Sequence, residues 1–227
     1  MIASPRSDTG LLDEETLDNL RVRLAPLVAA NAAFDGWSKG AIALAADQAN
    51  VDRDVAALAF DGGSMTMIDA WFASVDAAML ARVTPAQLPA MKIRERITAL
   101  VEARLDILAP HREALRRAQS ILATPGHVSR AARLGWRAAD IMWRAAGDTA
   151  VDYNHYTKRA TLGSVYAATM LIFVNDESED HADTRAFLTR RIDGIMKFEK
   201  AKARFTTGAD QHFSLPRLLG RLRYRGN

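Results

Sequence analysis

Five histidines, at positions 111, 127, 155, 181 and 212, are the residues best suited to proton transfer or metal binding, and they lie scattered along the chain. Two have acidic neighbours at helical spacing. Glu177 and His181 form an i, i+4 pair, and Asp148, Asp152 and His155 follow one another at helix-compatible steps. A di-iron bundle needs two Glu-x-x-His motifs and further glutamates on facing helices, and the chain lacks that set. Glu177, Glu179, Asp180 and Asp183 fit instead the acidic first turn of a capped helix, where carboxylates meet the positive end of the helix dipole. Cysteine is absent, which removes disulfides, thiolate nucleophiles and cysteine-ligated zinc. There is no G-x-S-x-G elbow and no phosphate-binding glycine loop. No catalytic set, metal or cofactor is expected; the chemistry left is that of binding.

Three groups of residues carry that expectation. The apolar side chains Met142, Tyr166, Met170, Leu171 and Phe173, with Trp71 and Phe72 on an earlier helix, are candidates to line a lipid cavity, against the plainer alternative of core filling. In the run Asp152 to Arg159, aromatic and charged residues cluster between two core helices. Exposed Tyr and Arg are common anchors of protein partners, so Asp152, Asn154, Tyr156 and Arg159 are candidates for partner contact. Helix capping by Asp152 or Asn154 is compatible with that role. In the tail HFSLPRLLGRLRYRGN, Leu215, Leu218, Leu219 and Leu222 group on one side, with Arg217 and Arg221 among the cations around them. That is the pattern of a helix lying in a membrane interface.

The elements that must hold these residues are helical. The composition, 49% hydrophobic and 25% charged with only 13 Gly and 7 Pro in 227 residues, suits a protein able to fill a core. The net charge of +3 is modest, so its placement matters more than its sum. Leu17, Leu20, Leu24 and Leu27 make a first apolar stripe that Asp13 can cap and Pro26 should end or kink. Ser38 and Asp52 open further helices, and Asp61-Gly62-Gly63 breaks the chain before a longer helix through Met79. Thr84 to Gln87 reads as a capping box with Pro at the first helical position. Ile93 to Leu108 keeps a 3.6-residue period, and Ala160 to Asn175 has no charge, predicting a helix buried all round. No alternating run is long enough for a sheet. The organisation predicted is a disordered lead (1–12), a three-helix segment (13–62), a helical bundle (63–198), and a linker with a basic amphipathic helix (199–227). The lead has no apolar signal region, and no apolar run approaches the ~20 residues of a membrane span.

Residues 46–60, ADQANVDRDVAALAF, carry the helix-turn-helix register of TetR regulators: a tight turn at Asn50, apolar Val51, capping Asp52 and a closing Phe60. That geometry seats a second helix across a DNA groove. The chemistry does not suit DNA, because Arg53 stands between Asp52 and Asp54 and duplex affinity rests largely on phosphate neutralisation. The triplet is therefore expected to be a scaffold that binds no nucleic acid.

Residues 133–193 contain a W-x-x-A-D-x-x-W-x-x-A-G-D stretch (Trp136 to Asp148), a Tyr-Thr-Lys-Arg-Ala run ending at Ala160, and a D-x-S-x-D-x-x-x-T-x-x-F-L-x-x-R-I close (Asp176 to Ile192). This succession resembles the Coq-nine family of ubiquinone-biosynthesis accessory proteins, and with FDGWS, AFDGG and KIRERITALVEARLDILAPHREALRRA the likeness covers most of residues 31–198. The chain departs from the family pattern with His155 where Trp is common and Lys158 where Arg is common. The resemblance implies an all-α, TetR-like homodimer without catalytic activity, holding an isoprenoid quinone precursor in a cavity and presenting it to a di-iron demethoxyubiquinone hydroxylase. It also implies a C-terminal helix that attaches to membrane, and hence a cytoplasmic protein peripheral to the inner membrane. The alternative is a TetR-type transcriptional regulator with a lipophilic effector. A small lipid-dependent enzyme, the third reading, lacks a catalytic constellation.

Overall fold

Local signals start most helices of the computed structural model, which describes residues 16–84, 88–149 and 153–195. Helix α1 (Leu17–Asp35) begins at Thr16, whose hydroxyl accepts from the Asn19 amide; Asp13, the cap expected from the sequence, lies outside the described residues. Helix α2 (Lys39–Gln48) is capped by Ser38, and α3 (Arg53–Ala59) by Asp52, whose carboxylate accepts from the amides of Asp54 and Val55. Asn50, at φ +53°, makes the turn between them. Gly62 and Gly63, both at positive φ, supply the conformations that let α4 (Ser64–Arg82) start. Helix α5 (Ile93–Leu108) opens with the Glu95 carboxylate accepting from the Lys92 amide. After single 3₁₀ turns come α6 (Arg112–Leu122) and α7 (Val128–Ala145). Helix α8 (Tyr153–Phe173) and α9 (residues 182–195) close the described chain. No strand occurs among the described residues.

Two expectations are corrected. Pro26 neither ends nor breaks α1, which continues to Asp35. A proline inside a helix costs about 3 kcal/mol, but Pro26 is exposed while Leu20, Leu24, Ala25, Val28, Ala29 and Ala32 are buried. That stripe packs on α2, α4 and α6, and its burial outweighs one lost hydrogen bond. The uncharged stretch of α8 is not buried all round. Leu162, Tyr166, Thr169, Met170 and Phe173 face inward, while Ala160, Thr161, Ser164, Ala167 and Leu171 form an exposed stripe. Most of those exposed residues are small or hydroxylated, so leaving them in water costs little.

The core runs without a break from the N-terminal triplet into the bundle. Trp37, Phe60, Trp71 and Phe72 join the two, with the Trp37 and Trp71 rings 5.2 Å apart and Trp71 stacked on Phe72 at 5.1 Å. Trp37 Nε1 donates to the Ala114 carbonyl, tying the α1–α2 corner to α6. Leu188 and Ile192 of α9 are buried in the same core. Arg185 pairs with Asp106 and Glu102 to hold α9 against α5.

Candidate ligand cavity and the α7–α8 corner

A cavity of about 280 Å³ opens among α4, α6, α7 and α8. Phe72, Leu115, Leu134, Met170 and Leu171 give it apolar walls, and Ala131, Gly135 and Ala138 on one side of α7 leave the space. Of the residues read as lipid lining, Phe72, Tyr166, Met170 and Leu171 stand on its wall. Trp71, Met142 and Phe173 do not. Trp71 is sandwiched between Trp37 and Phe72, Met142 is fully buried, and Phe173 packs edge-on against His181 at 4.8 Å. Leu171, 62% exposed, stands at the mouth.

One end of the cavity is polar. Arg104, 1% exposed, donates from Nε to the Tyr166 hydroxyl at 3.0 Å and from Nη1 to the Asp76 carboxylate. Its guanidinium also lies over the Tyr166 ring, 5.0 Å from the centroid. Burial alone would lower the Arg104 pKa, but Tyr166 and Asp76 beside it raise it, so the guanidinium stays charged. The sequence reading missed Asp76 and Arg104, although both leave a mark in it. Each interrupts an apolar face: Asp76 sits between Phe72 and Met79, and Arg104 between Leu100 and Leu108.

The second site is the corner between α7 and α8. Arg159, read as a partner-facing residue, is instead 2% exposed. It donates to Asp140 at 2.5 Å, to Asp148 at 3.1 Å and to the His155 carbonyl. Lys158 reaches the other Asp148 oxygen at 2.7 Å and lies over the Trp143 ring, whose Nε1 donates to the Lys158 carbonyl. Gly147, at φ +90°, makes the turn, and a side chain there would crowd Arg96, which donates to the Ala146 carbonyl. The A-D-x-x-W-x-x-A-G-D motif and the Lys-Arg pair after it thus form one internal clasp. Outside it, Asn154 and Tyr156 are exposed, and the Tyr156 ring lies 6.1 Å from that of Trp136. Asp152 lies outside the described residues, as do the linker and the tail with Leu215, Leu218, Leu219, Leu222, Arg217 and Arg221.

The closing motif is also structural. Asp176, 5% exposed, accepts from the amide and hydroxyl of Ser178 and from the amide and hydroxyl of Thr184, fixing the start of α9. Burial would raise its pKa, but these hydrogen bonds outweigh burial and hold the carboxyl far below the ordinary range. On α3, Arg53 is clamped by both oxygens of Asp47, at 2.8 and 2.6 Å, and Asp54, Val55 and Leu58 are exposed beside it. No described group of His, Asp and Glu could hold a metal ion, and no described helix is long and apolar enough to cross a membrane.

A short triplet with a helix-turn-helix, joined to a bundle with a cavity, defines a TetR-like architecture. The solved TetR transcriptional regulator from Nitrosomonas europaea superposes with a TM-score of 0.62 at 26% identity, covering 78% of this chain and 97% of that one. Residues 128–199, which hold the clasp and the Asp176 cap, match the COQ9 family model. The mitochondrial ubiquinone biosynthesis protein COQ9 of Bos taurus is 31% identical over 190 residues, covering 81% of this chain and 60% of the relative. The Homo sapiens protein of the same name is 30% identical over 192 residues with the same coverage, and that of Rattus norvegicus 33% over 167 residues, covering 71% and 54%. The chain is thus similar to the COQ9 family, through residues 128–199 and through 81% of its length in the bovine and human relatives, and it spans about 60% of the length of those two proteins.

Proposed function

We propose that this protein is a non-catalytic accessory factor of ubiquinone biosynthesis that shields an isoprenoid quinone precursor in the α4–α8 cavity. The single observation carrying this reading is an apolar cavity with one polar end, in a chain whose relatives are named ubiquinone biosynthesis proteins. The cavity holds a substituted ring and the first part of a chain. A longer tail would leave past Leu171, and a polyprenyl tail gains about 0.8 kcal/mol for each CH₂ kept from water. Trp136, Asn154 and Tyr156 offer an exposed aromatic and amide surface for a partner enzyme, which the family resemblance makes the di-iron demethoxyubiquinone hydroxylase. Residues 213–225, with leucines and arginines at helical spacing, would bring the homodimer to the inner-membrane surface.

Mass spectrometry of organic extracts from protein purified without detergent tests the cavity. The native chain should carry isoprenoid quinone precursors, and Ala167→Phe, which fills the cavity from its exposed side, should carry far less. The regulator reading has one observation in its favour, the fold shared with the Nitrosomonas protein. Empty native protein that binds a specific duplex at physiological salt would establish that reading instead.

A further inference from the structure

The polar end of the cavity has no need to exist for stability. Removing a carboxylate and a guanidinium from water costs several kcal/mol per ion, and well-packed apolar residues of similar volume do as well or better. Arg104, Asp76 and Tyr166 are nonetheless buried there, and all three line open space rather than closed core. Their balance of charge is informative. Asp76 faces Arg104 on one side, and Arg137 approaches its second oxygen at 3.3 Å while holding Asp69 at 2.6 Å on the other. Asp69 and Asp76 cancel Arg104 and Arg137, so this end is strongly dipolar without net charge. The Tyr166 hydroxyl accepts from Arg104, which polarises its own O–H bond. Among the described residues no acceptor is set against that hydrogen.

We infer that Tyr166, oriented by Arg104 and Asp76, is a recognition donor that selects a neutral ligand with a ring oxygen, such as a quinone carbonyl or a ring ether. A bare hydrocarbon has nothing to accept the Tyr166 hydrogen. A phosphate or diphosphate would bring negative charge beside Asp76 with no uncompensated cation to receive it. Specificity of this kind is strong, because a buried donor left without an acceptor is penalised. The inference rests on the cavity being the lipid site, as proposed above, and supplies the chemistry that site prefers.

The test measures binding of three probes to the full chain: a decyl-substituted dimethoxymethylbenzoquinone, 1-phenyldecane and geranylgeranyl diphosphate. The quinone should bind roughly tenfold more tightly than phenyldecane, the worth of about one good hydrogen bond. Tyr166→Phe should erase that difference and leave phenyldecane affinity unchanged, which also certifies an intact cavity. If Tyr166→Phe loses phenyldecane as well, Asp76→Asn is read in its place. It keeps the side-chain shape, removes the carboxylate that fixes Arg104, and should narrow the same ratio. Equal binding of quinone and phenyldecane to the native chain, a ratio untouched by both substitutions, or tighter binding of the diphosphate would overturn this inference and leave the cavity reading standing. Failure of all three probes to bind would overturn the cavity reading and this inference together.

Discussion

Two buried arginines hold aspartates in this molecule, and they do so in different settings. Arg159 sits in the α7–α8 corner with Asp140, Asp148 and the His155 carbonyl closed around it. Arg104 sits at the end of a cavity with Asp76 and Tyr166, and part of its surroundings is empty space. The first guanidinium joins residues that are near in sequence and fixes how two helices meet. The second joins α4, α5 and α8, and leaves polar atoms facing a void. Burial and pairing alone therefore do not distinguish a structural ion cluster from a binding one; what the cluster faces does.

Removing Arg159 should have the largest effect on stability. Arg159→Met takes the guanidinium away from Asp140 and Asp148 while the flanking Arg144 and Lys158 stay paired with them, and breaking a buried pair from one side costs about 3–5 kcal/mol. Urea denaturation should show that loss. A change below about 1 kcal/mol would mean that the corner is wet and the clasp is not what holds α7 to α8.

Asp176 is a buried acid of another kind, held by hydroxyls and amides with no cation among these partners. Asp176→Ala removes the acceptor for the amides of Ser178 and Thr184 and should cost about 1–2 kcal/mol at neutral pH. Because the folded pKa is depressed, the contribution is complete above the ordinary aspartate value of about 3.9 and is lost as pH falls through the folded value. Native and variant stabilities should thus converge in acid. A gap that stays constant between pH 7 and pH 2 would show that packing, rather than the carboxylate, supports α9.

The fold was legible because its signals are local. Ser38, Asp52 and the Gly62-Gly63 break mark helix boundaries in the sequence, and the structure uses each of them. The site was legible only in part. Tyr166 and Met170 are one helical turn apart on α8, which placed them near one another but not against a void. A cavity is a long-range property, made here by the small Ala131, Gly135 and Ala138 of α7 opposite larger side chains. Arg159 was misread because its partners, Asp140 and Asp148, lie on the preceding helix and turn, and a run of polar residues looks the same whether it faces water or the interior. The informative mark was the reverse pattern, a charge on an apolar face, as at Asp76 and Arg104.

That mark leads to a sharper contrast with Arg159. Replacing both members of the cavity pair, Asp76→Leu with Arg104→Met, should shift unfolding by less than about 1 kcal/mol, since apolar residues of similar size replace two ions whose desolvation is no longer needed, and the part-exposed Arg137, which also meets Asp76, keeps Asp69. Binding of the benzoquinone probe should nevertheless weaken, because Tyr166 loses the donor that orients it. A loss of stability as large as that of Arg159→Met would make the two clusters equivalent and place Arg104 among the structural residues.

The smallest effect is expected where an Arg–Asp pair lies in water. Arg53 meets Asp47 in good bidentate geometry, yet both are solvent-exposed, and pairs of that kind add little to stability. Asp47→Ala should leave the unfolding midpoint unchanged. It also frees Arg53 on the helix that a DNA-binding relative of this fold would place in a groove, and so tests the N-terminal triplet directly. Asp52 and Asp54 still flank that arginine, so the variant should gain no duplex affinity in a salt titration. A gain with the steep salt dependence of phosphate contacts would mean that one ion pair, rather than the composition of the whole helix, keeps this triplet off DNA.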